Sequence, residues 1–377
     1  MTVGRGLRST LISRRSALKL GGGSILAALP AARAARAAAK PIVPSRGINL
    51  PGWFDRGDGV APSEPVLEKL RQLGFQTIRL PINGDLLSAG DTTTLRRIEA
   101  GVADLNRLGF SVLADMHPSE SLHTALRQDF EAGSQRAAEA WMALGSVLAN
   151  LPNEMVYAEL LNEPPLRNDA WLQLRQRLAE VVRSKCPNHT LIWGPSPSQG
   201  IWEIGETPPL ADDNQIAAIH FYSPTAFTHQ CETWDASPLA RISNLPFPAT
   251  IETPLVQQSI QKLRASGDEQ AASLIEEQMA TPWTEAAIAA EFMKLRRWSE
   301  TYDCPVMMNE FGVLNFCVDA ESRRFWVRAV RQAAESNKIG WAYWELDQGF
   351  GIIRSRGSIE GFDDAMIAAL LDDSNGG

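Results

Sequence analysis

Two glutamates close apolar runs about 150 residues apart: Glu163 follows the run from Met155 to Asn162, and Glu310 follows Val306-Met307-Met308-Asn309. Each run has the length and content of a buried strand. The first meets Pro164-Pro165, through which a strand does not continue, and the second meets Phe311-Gly312. Both carboxylates are therefore expected at strand tips. Such a pair suits cleavage of a glycosidic bond, in which a neutral carboxyl protonates the leaving oxygen while an ionised one attacks or stabilises the sugar cation. A single strand-end carboxylate is more often a cap or an ion-pair partner, so the reading depends on the other strand ends.

The elements that must position this pair repeat along the chain. Strand-like runs are expected at Ile42 to Leu50, Phe75 to Pro81, Phe110 to His117, Met155 to Glu163, Thr190 to Trp193, Ile216 to Tyr222, Pro305 to Glu310 and Ile339 to Trp344. Apolar residues at helical spacing lie between them, as in Val66, Leu67, Leu70 and Leu73, or Trp141, Leu144, Leu148 and Leu151. Strands alternating with such stripes indicate a parallel sheet with crossover helices, and eight units indicate a closed (β/α)8 TIM barrel forming one domain over residues 40–377. Gly74 and Gly109 end two of the helices and lead directly into strands, so the helix-to-strand turns are short and the strand-to-helix loops long. That asymmetry puts the working face at the strand C-termini. The longest departure, residues 223–282 after strand six, reads as an insertion with a helical piece near Ala271 to Met279.

Composition narrows the function classes. Residues 1–39 combine Arg14-Arg15, a short apolar stretch and A-x-A sites, which reads as an export signal resembling a twin-arginine leader and implies a periplasmic or secreted protein. The apolar stretch is shorter than the ~20 residues a membrane span needs. Residues 1–39 carry seven basic and no acidic residues, so their removal takes the formal charge from −8 to −15. No basic stripe remains, which argues against nucleic acid or membrane as partner of the mature chain. Four cysteines without a C-x-x-C and five scattered histidines without H-E-x-x-H give no support to a zinc site. Cys231 and Cys317 fall in the loops after strands six and seven, on neighbouring units and on the working face, and are expected to pair. Cys186 and Cys304 are expected to stay free.

Reading only the strand tips gives Arg79, His117, Asn162 with Glu163, His220 with Tyr222, Glu310 and Trp344. In the stretches Ile78-Arg79-Leu80-Pro81, Asp115-Met116-His117-Pro118, Glu159 to Pro164, Ile219-His220-Phe221-Tyr222, Asn309-Glu310-Phe311-Gly312 and Trp341-Ala342-Tyr343-Trp344, the chain resembles glycoside hydrolase family five, the clan A barrel of cellulases and related β-glycanases. The resemblance implies that Glu163 is the acid/base, that Glu310 is the nucleophile, and that Asn162 donates to the sugar 2-hydroxyl. Arg79 and the Tyr222 hydroxyl are expected beside Glu310, favouring its ionised form, whereas Glu163 is expected to lack such a partner and to stay protonated longer. His117 and His220 would bond substrate hydroxyls or orient the carboxylates.

Glu159, one pleat layer below Glu163, is expected to be structural against Arg79, and Glu345 and Asp347 to be loop or supporting groups. Trp344 is the expected platform beside the reacting sugar, with Trp53 and also Trp193, Trp202 and Trp234 as further candidate platforms. Trp141, Trp171, Trp298 and Trp326 fall on helical stripes and read as core, and His123, His189 and His229 as surface or structural. The expected activity is retaining, endo-acting cleavage of β-1,4-glucan by a monomer without metal or organic cofactor. The same tips are compatible with a β-mannanase, a β-1,3-glucanase, a transglycosylase or a non-catalytic sugar-binding barrel.

Overall fold

A computed structural model describes residues 40–88 and 92–372, so the expected leader lies outside the described residues. Eight parallel strands close a barrel in sequence order: β1 (Gly47–Asn49), β2 (Thr77–Asn83), β3 (Ser111–His117), β4 (Val156–Glu159), β5 (Thr190–Trp193), β6 (Gln215–Phe221), β7 (Val306–Phe311) and β8 (Gly340–Tyr343). β1 pairs with β8, which removes both sheet edges. The expected eight-unit TIM barrel is the observed architecture, and the strand positions agree with expectation to within a few residues. Two strands are shorter than expected. β1 covers only Gly47–Asn49, and β4 ends at Glu159, four residues before Glu163.

Short turns at the barrel floor follow from the glycines named above. Gly74 caps the helix Glu64–Leu73 in the left-handed region (φ 112°), where a residue with a Cβ would be strained, and its N–H bonds back to Leu70 and Arg71 carbonyls. Three core tryptophans on barrel helices reach inward to the strand ends. Trp141 Nε1 donates to Leu160 O (2.8 Å), Trp171 Nε1 to Gly194 O (2.8 Å) and Trp326 Nε1 to Ser223 O (3.1 Å). Each satisfies a carbonyl just past β4, β5 or β6, so the apolar stripe also anchors the loops that carry the site; truncating such a side chain costs about 3–5 kcal/mol.

The segment after β6 forms the helices Thr225–Thr228, Pro254–Ala265 and Glu269–Met279 before the barrel helix Glu285–Tyr302 begins. Cys231 in this segment is bonded to Cys317 after β7, with Cα atoms 5.9 Å apart, as the topology led us to expect. Cys186 and Cys304 are free and buried. Among the described residues no helix is long and apolar enough to cross a membrane.

Candidate active site

Arg79 on β2 organises the barrel mouth. Its fully buried guanidinium gives two hydrogen bonds to Glu159 (Nε to Oε2 and Nη2 to Oε1, both 2.8 Å), bonds Asn49 Oδ1 (3.0 Å) and Asn162 Oδ1 (2.8 Å), and donates to Glu310 Oε1. Asp115 Oδ2 lies 3.0 Å from Nη2. Burial alone would lower the Arg79 pKa, but the carboxylates of Asp115, Glu159 and Glu310 hold it well above its ordinary value. One buried cation thus orients five side chains, and a lysine, lacking the planar fork, could not replace it.

Glu310 reaches this cation through an irregularity of β7. Ile219 pairs with Met308, but His220 pairs with Glu310, so β7 holds one extra residue at Asn309. A bulge of this kind re-aims side chains that strict alternation would send to opposite faces. Both Asn309 and Glu310 consequently bond inward, Asn309 Nδ2 to Glu159 Oε1 (2.7 Å) and Glu310 to Arg79. The Tyr222 hydroxyl donates to the other Glu310 oxygen (3.0 Å), so both oxygens are held. Burial and the neighbouring carboxylates push the Tyr222 pKa well up, which keeps its hydroxyl protonated as a donor.

Glu163 is held differently. It sits past the end of β4 with φ 36°, a strained value for a residue with a side chain, and its N–H donates to Gln199 Oε1 (2.6 Å) from the loop after β5. Its side chain is 41% exposed, against 7% for Glu310. The expectation that it lacks a partner is corrected: His220 Nδ1 lies 2.8 Å from Glu163 Oε1 and 3.4 Å from Glu310 Oε2. Burial pushes the Glu163 pKa up, but its exposure limits that effect and the His220 hydrogen bond and charge bring it below the usual carboxyl range. For His220, burial lowers the pKa while Glu310 and Glu163 raise it, and the net direction is upward. Its Nδ1 faces both carboxylates, so a proton on that nitrogen is shared between the ring and Glu163.

The carboxylate and imidazole atoms of Glu163, His220 and Glu310 that could ligate an ion lie within 4.8 Å of one another. Arg79 already supplies a positive charge at Glu310, and His220 supplies one at Glu163 when it is protonated. The arrangement is thus suited to sharing a proton, and a cation there would compete with both.

Two open cavities meet at these carboxylates. The first, about 500 Å3, includes Asn162, Glu310, Trp344, Trp234 and Phe350, and the second, about 420 Å3, includes Trp202, Gly200 and His220; Glu163 and Tyr222 line both. Trp344 faces the first and stacks near His117 (6.2 Å between ring centres), whose Nδ1 is 2.9 Å from Asp115 Oδ2. Trp202 and Trp234 are 54% and 55% exposed and present open indole surface. Trp53 and Trp193 are corrections. Trp53 is only 8% exposed, stacked on Phe54 (4.7 Å) and fitted over Gly101, while Trp193 is fully buried under Arg175. The loop after β1 turns its indole inward because Gly101 leaves room there, and β5 sends Trp193 outward to the helices.

Other groups of the site were missed in the sequence. Asp115 precedes His117 by two residues on the same strand face, a signal that period-two reading could have used. His229, read as surface or structural, lines both cavities against Tyr222 (4.9 Å) and Phe350 (5.5 Å), and burial lowers its pKa to about 4, leaving it neutral. Gln199 carries no local signal at all. Glu345 is fully buried beside the cleft and accepts the N–H groups of Asp347 and Gln348 (2.8 Å each) and of Phe350 (3.2 Å), a supporting position of the kind expected for it. Burial pushes its pKa up to about 7, against the pull of those N–H donors.

The chain is similar to several known proteins. Endoglucanase 3 of Fibrobacter succinogenes is 28% identical over 346 residues, which is 85% of this chain; the chain spans about half (52%) of that relative's length. Among solved structures, the cellulose synthase subunit Z of Clostridioides difficile superposes with a TM-score of 0.71 at 23% identity, covering 86% of this chain and 99% of that one. Cel5A of Thermotoga maritima, solved in complex with mannotriose, gives 0.70 at 22% identity, covering 87% and 98%. At these identities the two structures establish the barrel fold. A family model described as cellulase (glycosyl hydrolase family 5) matches residues 36–349, and on that match the chain belongs to glycosyl hydrolase family 5.

Proposed function

We propose that the protein is a retaining, endo-acting glycoside hydrolase that cleaves β-1,4-glucan by double displacement at Glu310 and Glu163. The observation that carries this reading is the contrast between two carboxylates whose nearest oxygens are within 4.8 Å. Glu310 is buried with both oxygens fixed by donors, as a nucleophile requires, and Glu163 is the more exposed member, with a proton at hand on His220. Glu310 attacks the anomeric carbon while Glu163 delivers its proton to the glycosidic oxygen, and Glu163 then takes a proton from the water that hydrolyses the glycosyl ester. Asn162 has its carbonyl oxygen occupied by Arg79, so its amide N–H groups remain to donate to a sugar hydroxyl. Two cavities flanking the carboxylates favour endo action, and the endoglucanase likeness favours β-1,4-glucan. Export to the periplasm or beyond is part of the proposal, supported by the Cys231–Cys317 bridge, since such bonds persist in oxidising compartments.

Proton NMR of the first-formed product tests the stereochemistry. Nearest oxygens within 4.8 Å accord with the ~5–5.5 Å carboxyl separation of retaining enzymes rather than the ~6.5–9.5 Å at which inverting enzymes admit a water, so the β-anomer is expected first. Initial appearance of the α-anomer would remove the nucleophile role of Glu310. Reducing-end release on a panel of soluble β-glucans and mannans tests the linkage.

The pH profile tests the shared proton. Because the His220 pKa is raised, the pair keeps its proton above the usual histidine range, and the alkaline limb of kcat/KM should lie there. In His220→Ala the proton resides on Glu163 alone, so the limb should move toward acid and kcat should fall about 10-fold or more. An alkaline limb unchanged in that variant would show that His220 does not share the catalytic proton.

A further inference from the structure

The Cys231–Cys317 bridge joins two loops that each carry an open aromatic ring of the first cavity. Trp234 stands three residues after Cys231 and Phe316 one residue before Cys317; they are 55% and 48% exposed, and both line that cavity. Their backbones are loosely tied. Among the described residues, no backbone–backbone hydrogen bond involves residues 233–236 or Phe316. Near the bridge the two segments share the bond from Asn244 N–H to Cys317 O (3.2 Å), and the next, from Leu314 N–H to Thr228 O (2.9 Å), joins buried residues. Trp234 leans on Phe350 (6.4 Å between ring centres) and His229 (5.8 Å), contacts that hold only while its loop stays in place. A ring on a segment without backbone bonds takes its position from the nearest fixed atoms, and here those are the two sulfurs.

The bridge is also the accessible sulfur chemistry of the chain. Both of its cysteines are half-buried, whereas Cys186 and Cys304 are buried free thiols whose pKa values burial pushes up to about 11, which keeps them protonated and unreactive at neutral pH. We propose that Cys231 and Cys317 are positioning residues for glycan binding, their bridge holding Trp234 and Phe316 at the first cavity so that its reduction weakens binding without disturbing the reacting carboxylates, an inference that rests on the hydrolase reading above. In that reduction a dithiol's thiolate attacks one bridge sulfur and releases the other; the reagent's second sulfur then displaces the first, and the two cysteines take up the reagent's two protons as it is oxidised to a disulfide. Glu310 and Glu163 are held by Arg79 on β2 and by His220 and Tyr222 at the end of β6, so the chemical step does not depend on the bridge.

KM and kcat on a soluble β-1,4-glucan would be measured with and without dithiothreitol, at a temperature where circular dichroism shows the reduced protein folded. A parallel sample alkylated with iodoacetamide would show by mass that Cys231 and Cys317 are opened and that Cys186 and Cys304 are untouched. Reduction should raise KM about 5-fold or more while kcat stays within about twofold. A bridge that only stabilised the fold would lower the melting temperature and leave KM unchanged in the folded protein, a result that would overturn the proposal. The variant Trp234→Ala/Phe316→Ala assigns the effect to the two rings: with its bridge intact its KM should already be raised about 5-fold or more, and reduction should then change it by less than about twofold. An unraised KM in this variant would overturn the proposal even if reduction unfolded the chain, and so would an undiminished further rise on reduction. Failure of the oxidised, unsubstituted protein on every β-glycan and aryl glycoside would instead overturn the hydrolase reading and the role of the bridge with it.

Discussion

Glu310→Ala is expected to lower kcat/KM on soluble β-glucan by roughly 10⁴- to 10⁶-fold, the range seen when a nucleophile acting within a catalytic unit is removed. The side chain lies under the anomeric carbon in the proposed pose, and neither Tyr222 nor Arg79 can replace it, since both are donors. Folding should survive. Truncation leaves Arg79 paired with Glu159 and Asp115, so the buried cation keeps two carboxylates. Near-wild-type turnover in a folded variant would remove Glu310 from the reaction. Azide added with a glycosyl substrate bearing a good leaving group offers an independent reading: the small anion enters the vacated space, attacks the anomeric carbon, and should give the α-glycosyl azide.

Glu163→Ala should lose about 10²- to 10⁴-fold on natural glucan, the range assigned to a general acid, and much less on an aryl glycoside whose leaving group needs no proton. With that substrate the glycosyl ester on Glu310 still forms, but the following water attack lacks its base. Azide needs no base. It should attack the ester, release the Glu310 carboxylate and give the β-glycosyl azide, restoring part of the turnover. Opposite azide anomers from the two alanine variants would separate nucleophile from acid/base, a distinction that loss of activity by itself does not make. If Glu163→Ala gave no azide product while the aryl glycoside was still consumed, the covalent intermediate would be in doubt.

The order of eight strand and helix units, the two glutamates at the ends of apolar runs and the helical stripes carrying Trp141, Trp171 and Trp326 are all legible in the amino-acid sequence. These are local properties. Periodicity, a Pro-Pro stop and a glycine cap act over a few residues, so a linear reading recovers them. The Cys231–Cys317 pairing was legible one step further, because barrel order makes consecutive loops neighbours.

The wiring of the site arises from contacts between distant parts of the chain. The partnership of His220 with Glu163 spans 57 positions and that of Arg79 with Glu310 spans 231, and neither separation has a sequence period that could announce it. The extra residue at Asn309 became visible only when β7 was registered against β6, and it turns two adjacent side chains toward one interior. Trp53 and Trp202 are both tryptophans near strand ends, yet one fills space left by Gly101 and the other lies open on the second cavity. Burial of a loop aromatic depends on the volume its neighbours leave, and those neighbours come from distant parts of the chain.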